Sequence, residues 1–176
     1  MKKGGKAGIN TKTGLKFEGK TDLATFLDKQ KGYSVKDEQV YYNDKLVARV
    51  FKKHRFYNFL EEYGIEWNKI IRRQLLPDDC IFVIIENKLF IIECKFQQVE
   101  GSVDEKLQTC DFKKKQYQKL LAKANIDVEY VYLLSEWFKN EKYQDVLDYI
   151  HSVGCYYYFE YIPLNKLGLP VPEIEE

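Results

Sequence analysis

The sequence is poor in the residues that build metal clusters and cross-links. Two histidines among 176 residues leave little material for a zinc centre, whose sites draw on His and Cys. The four cysteines, Cys80, Cys94, Cys110 and Cys155, include no Cys-x-x-Cys pair, so neither a zinc ribbon nor a closely spaced iron–sulfur site is indicated. Cys80 and Cys94 lie in apolar runs, and all four read as reduced and mostly buried, as in a cytoplasmic compartment. No apolar run approaches the roughly 20 residues that span a bilayer, and no signal-peptide pattern opens the chain. Internal repeats and Pro/Gly/Ser-rich linkers are also missing, so a single domain over residues 1–176 is expected. The net charge is only +1, which excludes a globally basic nucleic-acid binder.

What is present argues for a folded enzyme-sized core, with 45% hydrophobic and 15% aromatic residues. Charge is unevenly spread. Residues 1–20 carry six lysines against the single Glu18, whereas the chain ends Glu173-Ile174-Glu175-Glu176. Residues 1–12 read as a flexible basic arm and residues 163–176 as an irregular acidic tail. Further basic clusters stand at Lys52-Lys53-His54-Arg55, Arg72-Arg73 and Lys113-Lys114-Lys115. A locally basic face on a near-neutral chain suits phosphate contact, although each cluster taken alone also reads as a solvated face.

The stretch that organises the chain runs from Leu76-Pro77-Asp78-Asp79 through Cys80-Ile81-Phe82-Val83-Ile84-Ile85 to Glu86-Asn87-Lys88 and Leu89-Phe90-Ile91-Ile92-Glu93-Cys94-Lys95. Two β-rich apolar runs around a turn composition predict an antiparallel hairpin. Its open end carries acid: Asp78 or Asp79 on one strand, Glu93 and Lys95 on the other. Alternation puts Glu93 and Lys95 on one face and Cys94 on the other. Two carboxylates with the Cys94 carbonyl make an all-oxygen donor set suited to Mg²⁺, with Lys95 beside a metal-bound water. A strand-end salt bridge is the competing reading.

Around this hairpin the pattern predicts a helix from Thr13 with Leu15, Leu23, Ala24, Phe26 and Leu27 on one face. It predicts a second hairpin with an Asn43-Asp44 turn and a helix over Phe56–Tyr63 stopped at Gly64. Residues 103–124 read as helical with a break near Thr109 to Asp111. A strand over 128–134, a helix with Tyr143, Val146, Leu147 and Ile150, and a strand over 155–162 follow.

Pro77-Asp78, a spacer and Glu93-Cys94-Lys95 resemble the signature of the PD-(D/E)XK nuclease superfamily, the fold of most type II restriction endonucleases. The element order matches its αβββαβ core across most of the chain. The resemblance implies an α/β (α+β mixed sheet) fold, a central mixed sheet flanked by helices. It implies that Asp78 and Glu93 ligate Mg²⁺ with the Cys94 carbonyl, one or two ions per site, and that Lys95 orients the attacking water. Glu18 matches a first-helix glutamate facing the metal, and Asp79 competes with Asp78 as the inward acid. Lys12 of the basic arm, Gln97 after the second strand, and Lys113 and Lys114 on a basic helix become candidate DNA contacts.

By the same resemblance the partners are double-stranded DNA, a second copy in a homodimer and a cognate DNA methyltransferase in the same host, with no membrane. The implied activity is Mg²⁺-dependent, sequence-specific hydrolysis of duplex DNA. A structure-specific repair nuclease or Holliday-junction resolvase of the same fold, or a catalytically inactive nucleic-acid-binding module, are the alternatives.

Overall fold

The computed structural model describes residues 16–17, 22–97 and 103–173. Lys16–Phe17 (β1) is extended and pairs antiparallel with Ile162–Pro163, so the helix expected from Thr13 does not include it. The first helix, α1 (Leu23–Asp28), begins where Asp22 caps it, its carboxylate accepting from the Thr25 amide at 2.9 Å. An extended N-cap whose side chain satisfies an orphan helix N–H sets a sharp start.

Two tight turns then build a meander of β2 (Tyr33–Lys36), β3 (Gln39–Tyr42) and β4 (Lys45–Phe51). Asn43 and Asp44 sit at φ 47° and 62°, and Asp37 and Glu38 at 49° and 68°. Two successive positive φ values match the right-handed twist of paired strands. The Asn-Asp turn was legible in the sequence, while Asp37-Glu38 carries no such signature and β2 was not anticipated. After α2 (Arg55–Glu62) and the single turn α3 (Trp67–Ile70) come β5 (Asp79–Val83) and β6 (Lys88–Lys95). The apolar run overstated β5: it stops at Val83, and Ile85 is 87% exposed in the turn.

α4 (Val103–Leu107) and α5 (Cys110–Leu121) are separated at Gln108 and Thr109, near the expected break. They cross over to β7 (Asp127–Leu134), and α6 (Gln144–Ser152) crosses to β8 (Tyr156–Phe159). The main sheet runs β2-β3-β4-β5-β6-β7-β8, antiparallel as far as β6 and parallel from β6 to β8. Helical crossovers of this kind are what parallel neighbours require. The mixed seven-stranded sheet with flanking helices is the α+β architecture the sequence implied.

Alternation along each strand gives the sheet two apolar faces. Cys80, Phe82, Leu89, Ile91, Tyr130 and Tyr132 pack under α2, α5 and α6. Ile81, Val83, Phe90, Ile92, Val131 and Leu133 pack under α1 and the carboxy-terminal segment. That segment, expected to be irregular, folds back: Ile162–Pro163 is β9, Leu164–Leu167 form a 3-10 turn, and Leu164, Leu167 and Leu169 are buried. Burying those leucines offsets the entropy of ordering the end of the chain.

Candidate active site

Strand phase decides which acids meet. Asp79 pairs with Ile92 and Cys80 with Ile91, so Asp78, one residue earlier, lies opposite Glu93. Glu93 and Lys95 share the phase of Leu89 and Ile91, on the helix-covered α2/α5 face. Asp78 shares the phase of Cys80 and joins them. Asp79 and Cys94 belong to the opposite face, Cys94 packing with Ile92 and Leu133. The choice left open between Asp78 and Asp79 therefore resolves by geometry, with Asp78 on Glu93's face.

Backbone and side chains knit this corner together. Asp78 Oδ2 accepts from the Cys94 amide at 3.2 Å, and Oδ1 accepts from Lys53 Nζ at 3.0 Å. The Cys94 carbonyl leaves the strand on the same side as its amide, as in any hydrogen-bonded antiparallel position, and so points to the Asp78 side. Glu93 Oε1 takes Lys113 Nζ at 2.6 Å, and Lys95 Nζ stands 3.3 Å from Oε2. Glu93 is nearly buried, its side chain 12% exposed. Its Oε2 accepts no hydrogen bond. Tyr130 and Tyr132, from β7, are buried on the same face. The Tyr130 hydroxyl makes no well-formed hydrogen bond, and its burial, together with the neighbouring Glu93 carboxylate, pushes its pKa far up. A dry aromatic wall on one side of a carboxylate raises the worth of every charge facing it.

A family model described as a PD-(D/E)XK nuclease superfamily domain matches residues 29–125, more than half of the chain. The chain belongs to that superfamily. The matched span starts just after α1, contains the whole Asp78-to-Lys95 hairpin and ends before β7. No curated protein and no solved structure matches the chain. Membership makes the protein a nuclease, and nucleases of this superfamily typically use divalent metal ions.

The donors of this PD-(D/E)XK hairpin fit such an ion. Among the described residues no cluster of three or more His, Cys, Asp or Glu side chains is placed to hold a metal. The set is instead two carboxylates and a backbone oxygen, which suits Mg²⁺ because that ion keeps waters and phosphate oxygens for its remaining positions. The unbonded, buried Oε2 of Glu93 is the orphan such an ion would satisfy.

The other expected site residues are scattered. Glu18 and Lys12 lie outside the described residues. Gln97 is buried among the described residues, its backbone exchanging hydrogen bonds with the Ser135 hydroxyl at 3.1 Å both ways. Lys114 is engaged by the Gly154 carbonyl and by Glu129. Lys113, expected to point at a DNA backbone, turns inward onto Glu93. Lys53, beside Asp78, was not among the expected site residues, and Lys113 was expected at DNA rather than at Glu93. Their charge was visible, but the helix phase of α5 and the approach of the β4–α2 turn to Pro77 (Lys53 amide to Pro77 carbonyl, 3.0 Å) are tertiary facts. No helix among the described residues is long and apolar enough to cross a membrane.

Proposed function

We propose that this nuclease is a type II restriction-type endonuclease, cutting double-stranded DNA at specific sites with Mg²⁺. The observation that carries the reading is the convergence of Asp78, Glu93 and Lys95 on one sheet face, with the Cys94 amide bonded to Asp78. Asp78, Glu93 and the Cys94 carbonyl would hold the ion. Once bound there, such an ion would supply positive charge at the scissile phosphate and favour attack by water at neutral pH.

Lys95 would orient the attacking water, a role that its place 3.3 Å from Glu93 Oε2 favours. Lys113 holds Glu93 Oε1 and so fixes the carboxylate's direction. Glu18 is assigned to a second ion or its water shell, and Lys12 and the basic arm to the DNA backbone. A homodimer matches two-fold symmetric sites, a cognate methyltransferase protects the host's own copies, and four free cysteines suit the reducing cytoplasm.

Plasmid digestion tests this. With Mg²⁺ the protein yields discrete fragments, and EDTA, Glu93→Ala and Lys95→Ala each abolish them. Preference for four-way junctions over plasmid would move the assignment to a structure-specific nuclease. DNA binding without cleavage under any divalent metal would move it to an inert binding module.

A further inference from the structure

Four arginines occur in the chain, and the fold treats them in two ways. Arg49 is spent on Glu62 in a two-pronged pair at 2.6 and 2.9 Å, and Arg55 on Glu38 at 2.6 Å. Arg72 and Arg73 are exposed, and among the described residues neither has a hydrogen bond or an ion pair. Solvated arginines are ordinary in themselves. What surrounds these two is not.

They stand on a short strap from α3 to β5 that is pinned on both sides of them. Ile71 is buried at one end, its amide bonded to the Trp67 carbonyl at 2.9 Å. Beyond the arginines, the buried Tyr57 hydroxyl donates to the Leu75 carbonyl at 2.9 Å and accepts from the Leu75 amide at 2.7 Å. The strap then ends at Pro77, held by the Lys53 amide at 3.0 Å. A segment without regular structure is thus fixed by side chain and backbone, which lowers the cost of ordering it when a ligand binds. From Trp67 to Pro77 there is no acidic residue, and Leu76 beside them is 43% exposed.

The strap delivers the chain straight into Asp78. Arg73 lies five residues before Asp78 and Arg72 six, separations that no extended chain stretches beyond about 18 and about 22 Å. One strand of a duplex advances about 3.4 Å per nucleotide, so the main chain of both arginines falls within about six nucleotides of a phosphate held at Asp78. A planar fork matches a phosphate's paired oxygens and keeps its charge at any working pH.

We propose that Arg72 and Arg73 form the clamp that grips the phosphate backbone of duplex DNA beside the scissile bond. The inference rests on the nuclease reading of Asp78, Glu93 and Lys95. The clamp binds without reading sequence, because phosphate contacts fix register and carry no base information.

The test is equilibrium binding of a labelled DNA duplex across a salt series, with Ca²⁺ replacing Mg²⁺ so that binding is read apart from cleavage. Each phosphate contact contributes about 0.9 to the slope of log affinity against log salt. The Arg72→Ala/Arg73→Ala variant is expected to lose about 1.8 from that slope and roughly 50-fold in affinity near 0.1 M salt. Arg72→Lys/Arg73→Lys should regain most of the slope, and Lys123→Ala, an exposed charge elsewhere, should leave it unchanged. Equal slopes for wild type and the alanine pair would overturn the clamp while leaving the nuclease reading intact. An equal loss for Lys123→Ala would overturn it as well, as a general charge effect. Failure of the wild type to bind duplex DNA would instead overturn the DNA-nuclease reading, and the clamp with it.

Discussion

Asp78 and Asp79 are neighbours in the chain with opposite surroundings. Asp78 is half-buried among cations and amides, held by Lys53 and the Cys94 N–H. Asp79 is buried on the other face, 8% exposed, above an apolar layer that includes Ile81 and Ile92. Its burial lifts its pKa to about 6, with Lys52 offsetting only part of that cost. The two faces give the same chemical group two different sets of partners. On one, Asp78 keeps an ammonium and a strand-end amide as partners and stays partly open to solvent. On the other, the same chemical group is desolvated and its ionised form is disfavoured. A single residue of strand phase separates the two.

The comparison can be pressed at several points. The largest effect belongs to Glu93, the most enclosed acid of the polar face. Glu93→Gln should lower the DNA cleavage rate by about 10³-fold or more, since it weakens the grip on the ion that stabilises transition-state charge. Single-turnover cleavage measures it, and a loss below tenfold would remove Glu93 from the machinery.

Next is the stability carried by Asp79. Its folded pKa of about 6 lies above the model-peptide value of 3.8, so the folded state binds its proton more tightly than the unfolded state. Its contribution to stability is fully present below about pH 4 and is lost as pH rises through 6. Two pKa units correspond to about 3 kcal/mol. Asp79→Asn, which escapes ionisation, should therefore be more stable than wild type by up to about 3 kcal/mol at pH 8 and nearly equal to it at pH 4. Denaturant unfolding at the two pH values reads the difference. The same gain at both would show that ionisation is not the cause.

A smaller effect concerns Lys113, whose ammonium occupies Glu93 Oε1 at 2.6 Å. An ion entering the site competes with that charge. Lys113→Met should tighten Ca²⁺ binding about fivefold, near 1 kcal/mol, in line with a partly exposed pair, while cleavage falls because Glu93 is no longer oriented. Calorimetric titration checks the first half, and weakened Ca²⁺ binding would mean that Lys113 assembles the site rather than competing for it. The smallest change is Tyr130→Phe. Removing a buried hydroxyl that makes no well-formed hydrogen bond should stabilise the fold by up to about 1 kcal/mol, whereas a clear loss in thermal unfolding would mean that its contact with Glu93 carries weight.

Much of this corner was legible in the sequence because it depends on local rules. Alternation put Glu93 and Lys95 on one face, the Asn43-Asp44 pair announced a hairpin, and Gly64, at φ 66°, marked the end of α2. The parts that were hidden depend on what comes close in space. Whether Asp78 or Asp79 faces Glu93 follows from the β5–β6 register, and nothing in Pro77-Asp78-Asp79-Cys80 states it. Lys113 reads as a solvated lysine until α5 is laid across β7. The Leu15-to-Leu27 spacing looked like one helix, but Asp22 caps a helix that starts at Leu23 and Lys16–Phe17 pairs with β9. Ile84 and Ile85 show the limit of apolar runs as strand markers. β5 ends at Val83, and the turn is held by the Ile84 amide on Val47 and the Asn87 amide on Ile84 rather than by burying those side chains.

The most direct measurement is Mg²⁺-dependent cleavage of duplex DNA by Asp78→Asn and Asp79→Asn, side by side with wild type. Cleavage falling by about 10³-fold in Asp78→Asn and remaining near the wild-type rate in Asp79→Asn is the result expected of an active centre on the Glu93 face. Full activity in Asp78→Asn, with loss in Asp79→Asn, would place the chemistry on the opposite face and contradict it.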